Sequence, residues 1–316
     1  MDKGSEYVSS RSLVEDKSLF GIVKRFLYSQ KVAPYVLVSP FIISFLIFFL
    51  VPTLQTINMS FHKVISLYKM EFIGLKNYTR LWNVHFLNAI KTNTIYTLAC
   101  VCTMIPIPMV LAVFLNDRTL RGRNFYRSVF FIPSLTSVIV AGVAFRLIFG
   151  SLPNALFNWM LGLVGLEPVS WNMEYWPAMF IMVCLAVWRV TGVYMIYFLS
   201  GLQSIPEELY ESAEIDGADP LKKFFYITLP LLKPTTLYVL TLVVFEGYRM
   251  FGESYVYWEE NTPGDLGLTI TRYIYMEAFR KNDMGFGSAI GITLLCIVMI
   301  INVIQLKSFG FFKKED

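Results

Sequence analysis

Glu246, Arg249 and Glu253 fall at helical spacing within the stretch Phe245-Glu246-Gly247-Tyr248-Arg249-Met250-Phe251-Gly252-Glu253-Ser254-Tyr255, which closes an apolar run. At about 100° per residue a helix would gather the three charges within about 60° of one another. Tyr248, Phe251 and Tyr255 would take roughly the other side. Charges at membrane depth are costly and face a bundle interior or a water-filled cavity. Two chemistries suit this set. Carboxylates can bond the polar groups of a solute while aromatic rings cover its apolar faces, which makes Glu246, Tyr248, Arg249, Phe251, Glu253 and Tyr255 a candidate substrate path. Alternatively, Arg249 pairs with Glu246 and Glu253 at i,i+3 and i,i+4 and the charges settle one another. Arg146 and Arg189 read as structural charges at helix ends, and Gly247 and Gly252 as points where the helix can bend.

A second set is polar and mixed in charge. The segment 201–229 lies between two long apolar runs and carries the punctuation of two short helices. Ser204 is an N-cap candidate, with Glu207 three residues on as its capping-box partner and Pro206 in the first turn. Gly217 can end that helix in the left-handed conformation. Asp219 can cap a second helix, with Pro220 at its first position and Leu221-Lys222-Lys223-Phe224-Phe225-Tyr226 as its body. A capped helix–Gly–helix knob, charged on one side and aromatic on the other, suits a socket on another protein.

Other chemistries find no support. The chain has no G-x-x-x-x-G-K-[ST] phosphate loop. Its two histidines, His62 and His85, have no ligand partners at metal spacing. Cys100, Cys102, Cys184 and Cys296 all lie in apolar runs and read as unpaired thiols. No catalytic residue, metal site or cofactor on this chain is expected.

The elements that must position these residues are membrane helices. Hydrophobic residues make up 55% of the 316-residue chain and charged residues only 16%, with a mean hydropathy of +0.54; soluble domains carry about a quarter charged residues. Six runs reach the roughly 20 residues that a spanning helix needs: 33–58, 92–115, 127–149, 177–200, 230–251 and 287–308. The expectation is an all-α membrane protein with six transmembrane helices over 32–312, a polar tail over 1–31 and a short C-terminal end at 313–316. With both termini inside, sixteen Lys and Arg face the cytoplasm and eight face out, the bias that sets orientation. The Asp117-Arg118…Arg121-Gly122-Arg123…Arg127 turn is the clearest inside marker. The 201–229 knob is then cytoplasmic, as are the tail and the C-terminal end. The net charge of +4 suits cytoplasmic basic loops and calls for no nucleic acid.

Glu211-Ser212-Ala213, Gly217, Ile227, Leu229 and Pro230 resemble, in type and spacing, the EAA signature of ABC-importer permeases. Ser212 replaces the family's middle Ala, small for small. Phe72-Ile73-Gly74-Leu75-Lys76-Asn77-Tyr78 is similar to the F-x-G-L-x-N-Y segment of the carbohydrate-import branch. Asn88-Ala89…Asn93-Thr94, Arg121-Gly122…Phe125-Tyr126-Arg127 with Phe131-Ile132-Pro133, and Tyr273-Ile274-Tyr275…Ala278-Phe279 are similar to further segments of that branch. One departure is Glu259-Glu260-Asn261-Thr262-Pro263-Gly264, where the family often has a Gly-Gly-Pro turn.

The resemblance implies a type I, binding-protein-dependent importer in a bacterial or archaeal plasma membrane. It implies a second permease subunit, two ATP-binding-cassette ATPase subunits that hydrolyse ATP on the permeases' behalf, an extracytoplasmic solute-binding protein and a carbohydrate substrate. The knob would dock in a cleft of one ATPase through Glu207, Glu208, Glu211, Ser212, Ala213, Asp216, Gly217, Ala218, Phe224, Phe225, Ile227, Leu229 and Pro230. Pro206 and Pro230 would mark its joints with the membrane helices. The competing reading is a six-span half of a secondary solute transporter working without an ATPase. That reading calls for repeats between halves, of which the sequence shows none, and leaves the knob without a task.

Overall fold

Membrane-length apolar runs have one economical backbone solution, the helix, because it satisfies every N–H and C=O within the segment. The structure, a computed structural model, describes residues 29–66, 69–258 and 263–310 and is predominantly helical. The tail before residue 29, residues 259–262 of the departing loop and the C-terminal end at 313–316 lie outside the described residues.

The chain divides into two units at Thr56 and Ile57. The first holds α1 (Ala33–Phe45), a π turn (Leu46–Leu50) and most of α2 (Val51–Ser60). In the second unit a two-stranded antiparallel hairpin follows, β1 (His62–Ser66) and β2 (Lys69–Phe72), with His62 opposite Phe72 and Val64 opposite Met70. This hairpin is the one departure from an all-α fold among the described residues. Then come α3 (Lys76–Thr79), α4 (Val84–Met104), α5 (Pro106–Asn116), α6 (Arg123–Phe131), α7 (Val138–Ile148), α8 (Leu156–Leu163) and α9 (Tyr175–Gln203). The remainder is α10 (Glu207–Ile215), α11 (Pro220–Lys223), a π turn (Phe224–Thr228), α12 (Leu229–Leu231), α13 (Lys233–Arg249), α14 (Gly252–Tyr257), α15 (Ile270–Tyr275), a π turn (Met276–Arg280) and α16 (Met284–Ser308).

Among the described residues, four helical stretches are long and apolar enough to cross a membrane: Ala33–Ser60, Val84–Asn116, Tyr175–Gln203 and Met284–Ser308. The runs at 127–149 and 230–251 are not straight spans. The first bends by 95° between Leu135 and Val138, and the second by 66° between Leu231 and Lys233, so the total reaches six if each bent pair counts as one span. The first bend is made by Thr136 and Ser137, whose backbones are extended between the two helical pieces. At the second, Pro234 stands in the first turn of α13, where its ring cannot continue the hydrogen-bond ladder. The joint between the 201–229 loop and α13 is therefore at Leu232 rather than at Pro230, which lies inside α12.

The core is built around α9, whose Ile181, Met182, Leu185, Met195 and Phe198 are almost fully buried. It packs against α4, α5, α6 and α13. Asn93 of α4 ties three elements together: its Nδ2 donates to the Gly247 carbonyl (2.8 Å) and its Oδ1 accepts from the Ile270 N–H (2.7 Å). All four cysteines are free, as expected.

Candidate functional site

The 201–229 loop folds as two helices around Gly217, with one change at its entry. Ser204 does not cap α10. It closes α9 instead, its hydroxyl donating to the Gly201 carbonyl (2.7 Å), and Pro206 holds the N-cap position with no side-chain bond. A serine at that point can serve either helix, and the backbone goes with the 29-residue one. Glu207 and Glu208 remain in the first turn of α10, where carboxylates favour the helix dipole. At the far end Gly217 has φ +75°. The Gly217 N–H reaches the Glu214 carbonyl (3.0 Å) and the Ala218 N–H the Ala213 carbonyl (2.8 Å), the paired bonds of a Schellman turn. Asp219 caps α11 through the Lys222 N–H (2.8 Å), and Pro220 opens it.

Two side-chain clips fold the second helix back on the first. Lys223 Nζ meets Glu214 Oε1 at 2.5 Å, and the Tyr210 and Thr228 hydroxyls lie 2.9 Å apart with Thr228 buried. Phe224 packs on the core and Phe225 sits edge-on to it at 5.2 Å, largely exposed. Ile227, Ala213 and Ala218 are half-buried, while Glu211, Ser212, Asp216, Leu229 and Pro230 are exposed. Two apolar side chains flank the Gly217 turn in the open: Ile215 at 88% exposure and Leu221 at 70%. Sequence reading passed over both, although two large aliphatics in a polar loop are a signal in their own right. Arg118 bridges to Glu207 (3.0 Å) from the neighbouring turn. There Thr119 donates twice to Asp117 and holds its carboxyl below the usual carboxylate range.

The fifth-span cluster is rearranged relative to a continuous helix. The helix stops at Arg249, Met250 turns out of it (ψ 121°) and α14 begins at Gly252, so Glu253 does not share a face with Glu246 and Arg249. Arg249 keeps a long contact with Glu246 (3.9 Å), both side chains exposed, and its guanidinium lies over the Phe245 ring at 5.8 Å. Glu253 pairs instead with Arg189 of α9 at 2.8 Å, with side-chain exposures of 9% and 27%. The fifth-span pair is thus made across helices, and Arg189 belongs to it. Gly247 and Gly252 also permit close packing: a Cβ at Gly247 would stand 2.5 Å from the Thr97 hydroxyl, and one at Gly252, beside the helix break, 2.9 Å from Val138.

A cavity of about 450 Å³ opens where α4, α7, α9, α13 and α14 meet. Its wall carries two guanidiniums (Arg189, Arg249), two carboxylates (Glu246, Glu253), two tyrosines (Tyr96, Tyr194) and Phe251. Among the described residues the Arg189 Nε has no hydrogen-bond partner. Tyr248 is directed elsewhere; it is buried, with its hydroxyl 3.0 Å from that of Thr94. Tyr255 lies outside the cavity wall, stacked on Phe251. Sequence reading missed Tyr96 and Tyr194, whose place depends on helix packing. Asp265, in the turn after the undescribed 259–262 segment, takes contacts from His85 (2.9 Å) and Asn88 (3.0 Å).

Known proteins of similar sequence and shape agree on what kind of chain this is. The arabinooligosaccharides transport system permease protein AraP of Halalkalibacterium halodurans is 49% identical over 92% of each chain, and its counterpart in Bacillus subtilis is 48% identical over 91% of this chain and 92% of that one. The trehalose/maltose transport system permease protein MalF of Thermococcus litoralis is 30% identical over 91% of this chain and 97% of that one. Among solved structures, a chain of a bacterial ABC transporter involved in the import of the acidic polysaccharide alginate shares the fold, with a TM-score of 0.79 at 23% identity, covering 93% of this chain and 98% of that one. Residues 104–307, which hold both the loop and the cavity's α9, α13 and α14, match the binding-protein-dependent transport system inner membrane component family, and the chain belongs to that family.

Proposed function

We propose that this chain is the six-span permease subunit of an ATP-driven importer that moves a sugar or oligosaccharide delivered by an extracytoplasmic binding protein. Both termini and the 201–229 loop are cytoplasmic, a second permease completes the path, and two ATPase subunits dock beneath. The observation that carries the reading is the continuity of the loop with the cavity. α9 runs into α10, and α12 into α13, so the two helices anchoring the loop are the ones that bring Arg189, Tyr194, Glu246 and Arg249 to the cavity wall. A loop stiffened by a Schellman turn, a capped helix and two clips passes displacement on rather than absorbing it.

Glu211, Ser212 and Gly217 present a flat, partly acidic surface to the ATPase cleft, with Ile215 and Leu221 as apolar anchors beside it. Glu211 is the natural partner of an arginine there. In the cavity, the carboxylates of Glu246 and Glu253 accept from sugar hydroxyls, while Phe251 covers an apolar sugar face. The wall carries equal numbers of these opposite charges, which suits a neutral, hydroxyl-rich solute. The test is reconstitution of this chain with its second permease, ATPases and binding protein in liposomes. The reading expects ATP hydrolysis stimulated by loaded binding protein, and ATP-dependent uptake of labelled saccharide. Uptake that persists without the ATPases would overturn it in favour of a secondary transporter.

A further inference from the structure

The short helix α8 takes no part in the loop or the cavity, and it is apolar on both faces. Phe157 and Leu161 turn inward, with the Phe157 ring 4.5 Å from Phe149 and edge-on to Trp171 at 5.5 Å. Leu156, Trp159, Met160 and Leu163 stand on the opposite face at i, i+3, i+4 and i+7, each more than half exposed. Val164 and Leu166 extend this stripe past the helix end, exposed as well. From residue 147 to residue 166 the chain has no Asp, Glu, Lys or Arg. A helix that is apolar all round belongs inside protein or lipid rather than in water. Its 8 residues reach only about 12 Å, far short of a span.

α8 lies at the end of α9 opposite the 201–229 loop. Trp171, against which Phe157 packs, stands 6.2 Å from Phe180 in the second turn of α9. The helix begins where α7 ends, and a Cβ at Gly150 would stand 3.0 Å from that of Ala155. The two helices it joins carry exposed apolar side chains at this same end, Leu147 on α7 and Trp176 and Phe180 on α9. The α8 stripe continues their surface, and tryptophans gather at such ends, where a bilayer meets water.

The backbone around α8 is prepared for a place without water. Asn158 is buried, and its Nδ2 donates to the carbonyls of Gly150 (3.2 Å), Leu152 (3.2 Å) and Val169 (3.1 Å). Its Oδ1 accepts from the Val169 N–H (3.0 Å) and the Trp171 Nε1 (2.7 Å). A loop in water leaves such groups to solvent, whereas irregular backbone at membrane depth must have them met within the protein. Two further bonds fasten the segment to α14: the Tyr257 hydroxyl donates to the Phe149 carbonyl (3.0 Å) and the Trp258 Nε1 to the Asn172 carbonyl (3.0 Å).

We propose that α8 is a half-inserted membrane foot, whose Leu156, Trp159, Met160 and Leu163 face sinks into the upper acyl chains of the leaflet opposite the 201–229 loop. The partner is the uncharged part of a phospholipid layer, because the stretch offers no basic side chain to an anionic headgroup. An interface that forms and breaks in water carries a polar rim, and no charged residue between 147 and 166 supplies one. The inference goes beyond the transport reading and holds whichever end of α9 is cytoplasmic.

The experiment uses the assembled transporter in phosphatidylcholine nanodiscs, with Cys100, Cys102, Cys184 and Cys296 replaced by alanine. A single nitroxide is attached at Met160→Cys or Leu163→Cys, with Glu167→Cys as the aqueous reference. Power-saturation electron paramagnetic resonance compares collisions with oxygen, which concentrates among acyl chains, and with a water-soluble nickel chelate. Both foot labels are expected to meet oxygen several-fold more than nickel, at a depth of about 5 to 10 Å below the headgroups, and the Glu167 label to show the reverse. Adding Trp159→Glu and Leu163→Glu leaves every inward contact in place and should bring the Met160 label out to the nickel chelate. Nickel in excess at both foot positions would place the stripe in water and overturn the proposal. Exclusion of both reagents with an immobilised spectrum would make it a seat for the second permease, and a spectrum that changes only on adding binding protein would make it a docking surface; either result overturns the foot. Unchanged depth in the doubly charged variant would show that protein contacts alone hold the helix, and overturn it as well.

Discussion

Removing the Arg189 side chain's charge tests the cross-helix pair most directly. Arg189→Met keeps the length and apolar stem of the arginine but leaves Glu253, only 9% exposed, without its 2.8 Å partner. Breaking a buried ion pair from one side costs about 3 to 5 kcal/mol. Arg189 is 27% exposed, so water reaches the pair and the lower bound, about 3 kcal/mol, applies. That is on the order of a hundredfold in the folded-to-unfolded ratio. Glu253→Gln removes the buried charge and leaves a guanidinium that lines the open cavity, so it costs less, about 1 kcal/mol. Combining both substitutions removes every charge of the pair and returns stability to within about 1 kcal/mol of wild type. The assay is detergent-solubilised chain titrated with SDS and followed by helical circular dichroism, together with the yield of assembled transporter. Additive losses in the double variant, with no recovery, would refute the pairing and leave each residue with an independent role.

Gly217 needs its left-handed turn but faces open space, since a Cβ there meets no atom within 4 Å. Gly217→Ala is therefore expected to cost about 1 to 2 kcal/mol of local strain and to slow transport mildly, and Gly217→Val to cost more, with equal full activity of both in uptake assays excluding the turn's role. Glu211→Lys places a like charge against the proposed arginine of the ATPase; the subunit should insert and fold normally while binding-protein-stimulated ATP hydrolysis and uptake are lost, and normal transport would remove Glu211 from the interface. In a cysteine-free background, a cysteine replacing Glu167 should react with a membrane-impermeant thiol reagent applied to intact cells and one replacing Asp219 should not; the reverse labelling would invert the orientation.

Much of this architecture could be read from residue types alone because hydropathy and capping are local properties. The apolar runs fall on the helices, and Gly217, Asp219 and Pro220 take the backbone positions their chemistry favours. What escaped the sequence is nonlocal. Ser204 had two helix ends to serve, and nothing within a few residues says which one prevails. The bends near Leu135 and Leu232 depend on where the helical ladder is broken, and an apolar run reads the same whether straight or folded. Helical periodicity placed Glu253 beside Arg249 because it assumes an unbroken helix. The break at Met250–Phe251 turns Glu253 toward a residue 64 positions earlier.

The direct run of α9 into α10, and the short bent link of α12 into α13, carry a thermodynamic consequence. Whatever binds differently to two conformations at one end must be felt at the other, and by the same factor in each direction. Under the proposed function, a solute that settles between α9 and α13 would change how tightly the loop is held by the proposed ATPase, and a nucleotide that tightens that grip would change the solute's affinity. Free-energy coupling of this kind requires no message relayed through the membrane. It requires only that the same two rods end in a handle on one side and a binding wall in the middle.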